Sequence, residues 1–349
     1  MKYQHVQLHG FGYELPPNVI TSDAIEERLN PVYKKLKLPR GRLELMSGIK
    51  ERRFWDKGTR PSDAAVMAGR KAIAASGIPA AELECLIFTS VSRDMMEPAT
   101  GSFVHNQLGL PERCLVFDIS NACLGFLDGM IFLANMIELG QVKCGLIVAG
   151  ETAEGLLDST ISNLLSDSSL TRKTIKYSFA SLTIGSGAVA VIMTHENYCQ
   201  GQQKFVGGAY RANTRHNDLC QGGQSINAGS GQGSILMDTD SEELMTRGIE
   251  TARDTWEDFL AAIDWPPYGI NVYFCHQVGK AHARLLFERL GLDPAKNFET
   301  LSYMGNTGSV SAPVTMAIGI EQGIFSKGQR AALLGIGSGI NCLMLGIEW

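Results

Sequence analysis

Cys123, His276 and Asn306 are the residues whose types and neighbours suit covalent chemistry. Cys123 follows the run Leu115-Val-Phe-Asp-Ile-Ser120, which reads as a buried strand, and opens the segment LGFLDGMIFLANMIEL, apolar nearly all round. A strand feeding a buried helix sets the thiol against unpaired backbone N–H groups and the positive end of the helix dipole, an environment expected to lower its pKa. The residue is then either a nucleophile or one of the inert buried cysteines common in cores. His276 follows a second strand, Asn271-Val-Tyr-Phe274, and precedes a helix read from Gln277 to Leu290 with Gly291 as its cap. Cysteine with histidine is the pairing nucleophilic catalysis needs. Asn306, in the turn-rich run Met304-Gly-Asn-Thr-Gly-Ser-Val-Ser-Ala-Pro313, is either a turn asparagine or a neutral donor to the oxygen of an enolate or thioester carbonyl. The turn Gly335-Ile-Gly-Ser-Gly339 can aim a backbone N–H, that of Ser338, at an oxyanion, and it lacks the Lys of a phosphate loop. The other histidines show no ligand-like spacing; His216 and Cys220 are four apart, with no partner pair nearby and hence no metal site.

The elements that must position these residues repeat. Ile184-Gly-Ser-Gly-Ala-Val-Ala-Val-Ile-Met193 echoes Ile336-Gly-Ser-Gly-Ile-Asn-Cys-Leu-Met-Leu345 at an offset of 152 residues. The same offset carries Cys123 onto Cys275, beside His276, and Glu154 onto Asn306. Three features at one offset predict two copies of one α/β unit, residues 1–200 carrying the Cys and 201–349 carrying the His and Asn, with His276 brought beside Cys123. Pro61, Ser62 and Asp63 start a helix that Gly77 ends, and Cys85 to Val91 reads as a strand. Strands rich in Ile, Val and Leu between buried helices predict a parallel or mixed sheet covered on both faces. The polar, Gly- and Gln-rich stretch from Glu196 to Ser234 reads as a junction plus a long loop.

Composition narrows the function classes. At 349 residues the chain exceeds one small domain, and with 44% hydrophobic against 19% charged residues it is not disordered. A net charge of -5 without a long basic run argues against nucleic acid. The first residues, MKYQHVQLHGFG, lack a signal-peptide pattern, and the longest nearly apolar stretch, Ala331 to Ile347, is interrupted by four Gly, so no membrane span is expected. Eight cysteines without CxxC spacing fit reduced thiols in a cytoplasmic protein.

The combination of Asp118-Ile-Ser-Asn-Ala-Cys-Leu-Gly-Phe126, Cys275-His-Gln277, Gly305-Asn-Thr-Gly308 and Gly335-Ile-Gly-Ser-Gly339 resembles the thiolase superfamily, in its ketoacyl synthase III branch, over essentially the whole chain. The resemblance implies an α/β thiolase fold, two βαβαβαββ halves stacked as a five-layered αβαβα unit, in a homodimer. It implies Cys123 as the acylated nucleophile, His276 and Asn306 as the condensation pair, and the backbone N–H groups of Cys123 and Ser338 as the oxyanion hole. One departure stands in Met95-Met-Glu97-Pro98. Where initiating fatty-acid synthases of this branch carry Phe, this chain has Glu97, which is similar to the OleA-type enzymes of head-to-head olefin biosynthesis, whose glutamate enters the neighbouring subunit's site as the proposed base. Thr89-Ser-Val-Ser-Arg-Asp94 and the C-terminal run from Leu334 to Trp349 resemble the same group.

Three functions are then in competition. The first is condensation of two fatty acyl-CoA thioesters without decarboxylation, the desolvated Glu97 taking a proton from the second acyl chain. The second is a decarboxylating synthase using malonyl-acyl carrier protein, and the third a non-catalytic partner subunit of the same fold. Ala281, where initiating synthases place an Arg for carrier docking, favours CoA donors over acyl carrier protein, although Lys280 and Arg284 lie close. Coenzyme A thioesters are expected as substrates, with no cofactor.

Overall fold

A computed structural model describes residues 1–199, 201, 203–224 and 235–349. The N-terminal half runs β1 (Val6–Glu14), β2 (Asn18–Thr21), α1 (Ser22–Arg28), α2 (Asn30–Leu36), α3 (Arg42–Ser47), β3 (Glu51–Phe54), α4 (Pro61–Ser76), β4 (Cys85–Phe88), α5 (Thr100–Leu108), β5 (Leu115–Asp118), α6 (Gly125–Glu138), β6 (Cys144–Glu151), α7 (Glu154–Ser166) and β7 (Gly187–His195). The C-terminal half follows with β8 (Gln203–Ala212), β9 (Cys220–Gln224), β10 (Ile235–Thr239), α8 (Ser241–Ile263), β11 (Val272–Cys275), α9 (Lys280–Leu290), α10 (Leu301–Met304), α11 (Ser311–Glu321), β12 (Arg330–Gly337) and β13 (Asn341–Glu348).

Nine strands are hydrogen-bonded in the order β11-β12-β13-β8-β1-β7-β6-β4-β5. From β1 outward the pairings run antiparallel, antiparallel, parallel, parallel. From β8 outward they run antiparallel, antiparallel, parallel, and then a single parallel bridge from Tyr273 to Asn297. The two halves therefore share one strand plan. Their central strands pair where Gln7 and Leu8 of β1 meet Lys204 and Gln203 of β8, and a bridge from Lys2 to Gly207 extends that seam.

Alternation along the strands builds the layers. Ile87, Ile147, Val189 and Val191 from one half, and Phe274, Leu333, Leu343 and Leu345 from the other, point into a single core with α6 and α11. Leu86, Leu146, Val148 and Ala190 face outward onto α4 and α5. Tyr273, Ala332, Leu334 and Met344 face outward onto α8 and α9. The result is helix, sheet, helix, sheet, helix: the thiolase fold. Of its inner helices, α11 is buried from Ser311 to Gly319, α6 is buried along most of its length but leaves Phe132 exposed, and the outer α8 buries one stripe, including Ile249, Ala252, Trp256 and Phe259. Helix α4 lies close to β1 because Gly12 has no Cβ, which would stand 2.3 Å from the Ala68 carbonyl oxygen.

Several expectations need correction. β4 ends at Phe88, where the Thr89 N–H turns to the Val148 carbonyl. β5 is a partly exposed edge strand, paired among the described residues with β4 alone. α9 starts at Lys280, because the chain bends at Val278 and Gly279 is extended, with φ 176°. The stretch from Glu196 contains β8, a central strand, and β9; residues 200, 202 and 225–234 of it lie outside the described residues. The paired IGSG runs do precede equivalent strands, β7 and β13, but the other two matches at that offset fail. β11 occupies the place of β4, so His276 corresponds to the turn after β4. β5 corresponds to the bridge at Asn297, and the chain beyond that bridge leads through α10 and Asn306 to α11 as β5 leads through Cys123 to α6. Cys123 and Asn306 are the pseudo-symmetric pair, since unequal insertions shift the offset along the chain.

Candidate active site

Cys123 stands in a sharp corner. Ala122 takes a φ of 45°, and Leu124 is the N-cap of α6. Gly125 is required there, because a Cβ would stand 2.3 Å from the Thr89 carbonyl oxygen. On the other side β12 presses against Leu124 through Gly335 and Gly337, whose Cβ atoms would stand 2.5 and 2.9 Å from that leucine. This brings the second IGSG turn beside the cysteine. Asn341 Nδ2 donates to Asn121 Oδ1 at 3.2 Å, and Asn121 Nδ2 donates to Asp128 Oδ2 at 2.7 Å, linking the turn after Ser338 to the corner that holds Cys123. The Ser338 hydroxyl donates to Cys220 Sγ at 3.2 Å. Neither the Cys123 nor the Ser338 backbone N–H has a backbone acceptor among the described residues.

Burial pushes the Cys123 thiol up to about 12, with Cys220 and the Glu151 carboxylate adding to the shift. This reverses the expected lowering. The first N–H groups of the helix are spent on the turn itself, Leu124 donating to the Asn121 carbonyl and Gly125 to that of Ala122, so desolvation wins. The thiol is protonated at neutral pH and needs a base during attack.

His276 supplies a neutral imidazole. It is 5% exposed, and burial followed by the nearby His282 lowers its pKa to about 3. Its Nδ1 is buried without a hydrogen-bond partner among the described residues. Its backbone N–H donates to the Leu334 carbonyl on β12, one residue before Gly335. Gln277 locks the turn: its N–H donates to Ser311 Oγ at 3.1 Å, its Nε2 to Thr315 Oγ1 at 3.1 Å, and its Oε1 accepts from the Thr300 N–H at 3.0 Å.

Asn306 is held by the other half of the molecule. Its N–H donates to the Thr183 carbonyl at 3.0 Å and its carbonyl accepts from Gly185 at 2.9 Å, a parallel bridge to Ile184. Its Oδ1 accepts from the Gly308 N–H at 3.1 Å, which orients the amide and leaves Nδ2 without a partner among the described residues. The first IGSG run thus braces Asn306 and the second faces Cys123.

Glu97 lies elsewhere, at the exposed tip of the loop between β4 and α5, in sequence with Met96, which is 95% exposed. A desolvated carboxylate is not present within one chain. The base of the loop is pinned. Asp94 accepts from the Ser62 N–H and hydroxyl at 2.9 and 2.6 Å, and Asp118 accepts from Thr100 and Gly101 at 2.8 Å each.

The structure thus gathers Cys123, Ser338 and His276 around the end of β12, and ties the segment that follows Asn306 to Gln277, beside His276, through Ser311. Four supporting residues escaped the sequence reading: Gln277, Asn121, Cys220 and Glu151. Each is a polar or thiol side chain at the end of a strand or in an adjoining turn, and only for Glu151 and Gln277, which directly follow buried runs, was there a local signal. Among the described residues no group of three or more His, Cys, Asp or Glu is placed to hold a metal.

Residues 117–212 match the family of 3-oxoacyl-[acyl-carrier-protein] synthase III, and residues 260–349 match its C-terminal region. The chain is 42% identical to an acyl-CoA:acyl-CoA alkyltransferase of Shewanella oneidensis and 36% identical to one of Xanthomonas campestris pv. campestris, in both cases over 100% of each chain. Crystal structures of Xanthomonas campestris OleA superpose with a TM-score of 0.93 at 35% identity, covering 100% of this chain and 98% of that one. They include variants in which a cysteine, a glutamate or a histidine is replaced, and a cysteine variant with bound lauric acid and lauroyl-CoA. The glutamate and cysteine replaced there are as many positions apart as Glu97 and Cys123 are here. With matching regions in both halves and full-length relatives well above 30% identity, the chain belongs to the 3-oxoacyl-[acyl-carrier-protein] synthase III family of carbon–carbon bond-forming acyltransferases.

Proposed function

We propose that the enzyme joins two fatty acyl-CoA thioesters by Claisen condensation without decarboxylation. His276 takes the Cys123 proton as sulfur attacks the first thioester, the Cys123 and Ser338 N–H groups hold the oxyanion, and coenzyme A leaves as its thiol. Glu97 of the partner subunit then removes a proton from the α-carbon of the second acyl-CoA. His276 and Asn306 Nδ2 donate to the enolate oxygen, the carbanion attacks the acyl carbon, and the Cys123–acyl bond breaks to release a 2-alkyl-3-ketoacyl-CoA. Such products suit olefin biosynthesis.

The observation that carries this reading is Glu97 on a pinned, exposed loop. Its side chain is exposed in its own chain, whereas a second copy that buried the loop would take the carboxylate out of water and into an acyl channel, where a general base must stand. The shared spacing to Cys123 in the OleA variants supports the same role. A homodimer follows from this arrangement. A cytoplasmic site is supported by eight free cysteines, and no described helix is long and apolar enough to cross a membrane. Donation from CoA is favoured by the exposed Ala281.

The test supplies acyl-CoA alone and measures CoA release and branched product. The wild type is expected to turn over, and Glu97→Ala to lose at least about 100-fold in condensation, the scale of removing a general base, while intact-mass analysis still finds the acyl group on Cys123. Product formed only with a malonyl thioester would overturn the reading in favour of a decarboxylating synthase.

A further inference from the structure

Glu151 is an acidic side chain 5% exposed, at the end of β6, with no basic partner among the described residues. Five donors converge on it. Oε1 accepts from the Val91 N–H at 2.9 Å, and Oε2 from the Ser92 N–H at 3.0 Å and the Ser92 hydroxyl at 2.7 Å. On the other side Oε1 accepts from the Ser309 hydroxyl at 2.9 Å and from its N–H at 3.4 Å. Gly308 admits the carboxylate; a Cβ there would stand 3.2 Å from Oε1.

These two sets of donors belong to different tasks. Val91 and Ser92 are the root of the loop whose tip carries Glu97. Ser309 lies in the turn that carries Asn306, directly after Gly308, whose N–H fixes the Asn306 amide. One carboxylate therefore clasps both the arm a protomer extends and its own condensation turn. A carboxylate is acceptor-only with two oxygens, which suits bridging two sets of donors; neither a hydroxyl nor an amide replaces it without turning a donor toward a donor.

We propose that Glu151 is a positioning residue that couples the two active sites of the dimer: through it, the state of one protomer's Asn306 turn sets how that protomer's Glu97 is presented to its partner. The inference rests on Glu97 acting across the interface. Breaking the clasp on one protomer then impairs the other protomer's site, although no residue lining that site has changed. Buried carboxylates bonded to several backbone N–H groups hold loops rigidly, and small displacements of a catalytic group reduce rate steeply.

Mixed dimers test this. One protomer carries Cys123→Ala, so only its partner's Cys123 is acylated, and the Glu97 serving that site comes from the Cys123→Ala protomer. Into this protomer is added Ser309→Ala, Ser92→Ala or Glu97→Ala, and condensation is measured with acyl-CoA alone. Ser309→Ala and Ser92→Ala are each expected to lower condensation by roughly threefold to tenfold, the range of coupling through packed networks, with the acylation rate of the intact site unchanged. Condensation unchanged by both serine variants, while Glu97→Ala abolishes it, would overturn the coupling alone. Condensation unchanged by Glu97→Ala would overturn the cross-subunit base and the coupling with it. Retained acylation in wild-type-backed Ser309→Ala homodimers shows that the variant folds.

Discussion

His276 and Cys123 are moved by burial in opposite senses, and both movements favour an uncharged pair in the resting enzyme. His276 is held at about 3 in the folded chain against an ordinary 6.5. The unfolded chain binds a proton below pH 6.5 that the folded one refuses, so this histidine lowers stability as pH falls from 6.5 towards 3. One group contributes about 1.4 kcal/mol per pH unit across that window, or about 2 kcal/mol between pH 6.5 and 5. Melting curves at pH 7 and 5 should therefore differ less for His276→Asn than for the wild type; an equal difference would mean that the imidazole titrates normally when folded. For Cys123 the folded value is raised from 9 to about 12, so its contribution is present below pH 9 and is lost as pH rises through 12. Alkylation of Cys123 by iodoacetamide should accordingly keep accelerating above pH 9. A plateau near pH 7 would show a preformed thiolate and remove the need for His276 as base.

At the scale of elements, glycines decide whether the loops reach the site. A Cβ at Gly185 would stand 2.2 Å from the Met304 carbonyl oxygen, a backbone atom that no rotamer change can move. Gly185→Ala should displace the turn carrying Asn306 and destabilise the fold by about 2–4 kcal/mol, in the range of severe core strain. Intact-mass analysis should still find acyl-Cys123, while condensation is lost; normal condensation would show that the bridge between Ile184 and Asn306 does not position the amide. This contact also explains what was legible in the sequence. Local chemistry was: the Gly77 and Gly291 helix caps, the apolar helix after Cys123, and the two IGSG runs are written in adjacent residues. The pairing of Cys123 with Asn306 was not, because it depends on the order of strands in the sheet, and a single parallel bridge at Asn297 replaces the strand that would have announced it. β8 was hidden for a similar reason, since its Gly207 and Gly208 allow close backbone approach and break the apolar alternation by which a strand is read.

For the whole molecule, the decisive fact is which surface one chain leaves uncovered. Among the described residues β5 pairs only with β4, so its other edge has no strand partner there, and Leu115 on it is 53% exposed. The loop that ends in Glu97 is tied to the end of this strand through Thr100 and Asp118, and it exposes Val91, Met95 and Met96. Open edges and contiguous apolar side chains are normally covered, and a rigid base beneath them argues for a docking surface rather than a loose segment. If a second copy covers this face, β5 meets its counterpart while the loop tip enters the neighbouring chain. Dimerisation and delivery of Glu97 are then one event. Leu115→Lys together with Met96→Glu should yield a folded monomer by sedimentation, because both positions are exposed within a chain and neither supports its core. That monomer should retain its secondary structure and still accept an acyl group on Cys123, yet condense no second chain. A variant that remained dimeric would place the interface elsewhere, and a monomer that condensed acyl-CoA at the wild-type rate would show that each chain carries its own base.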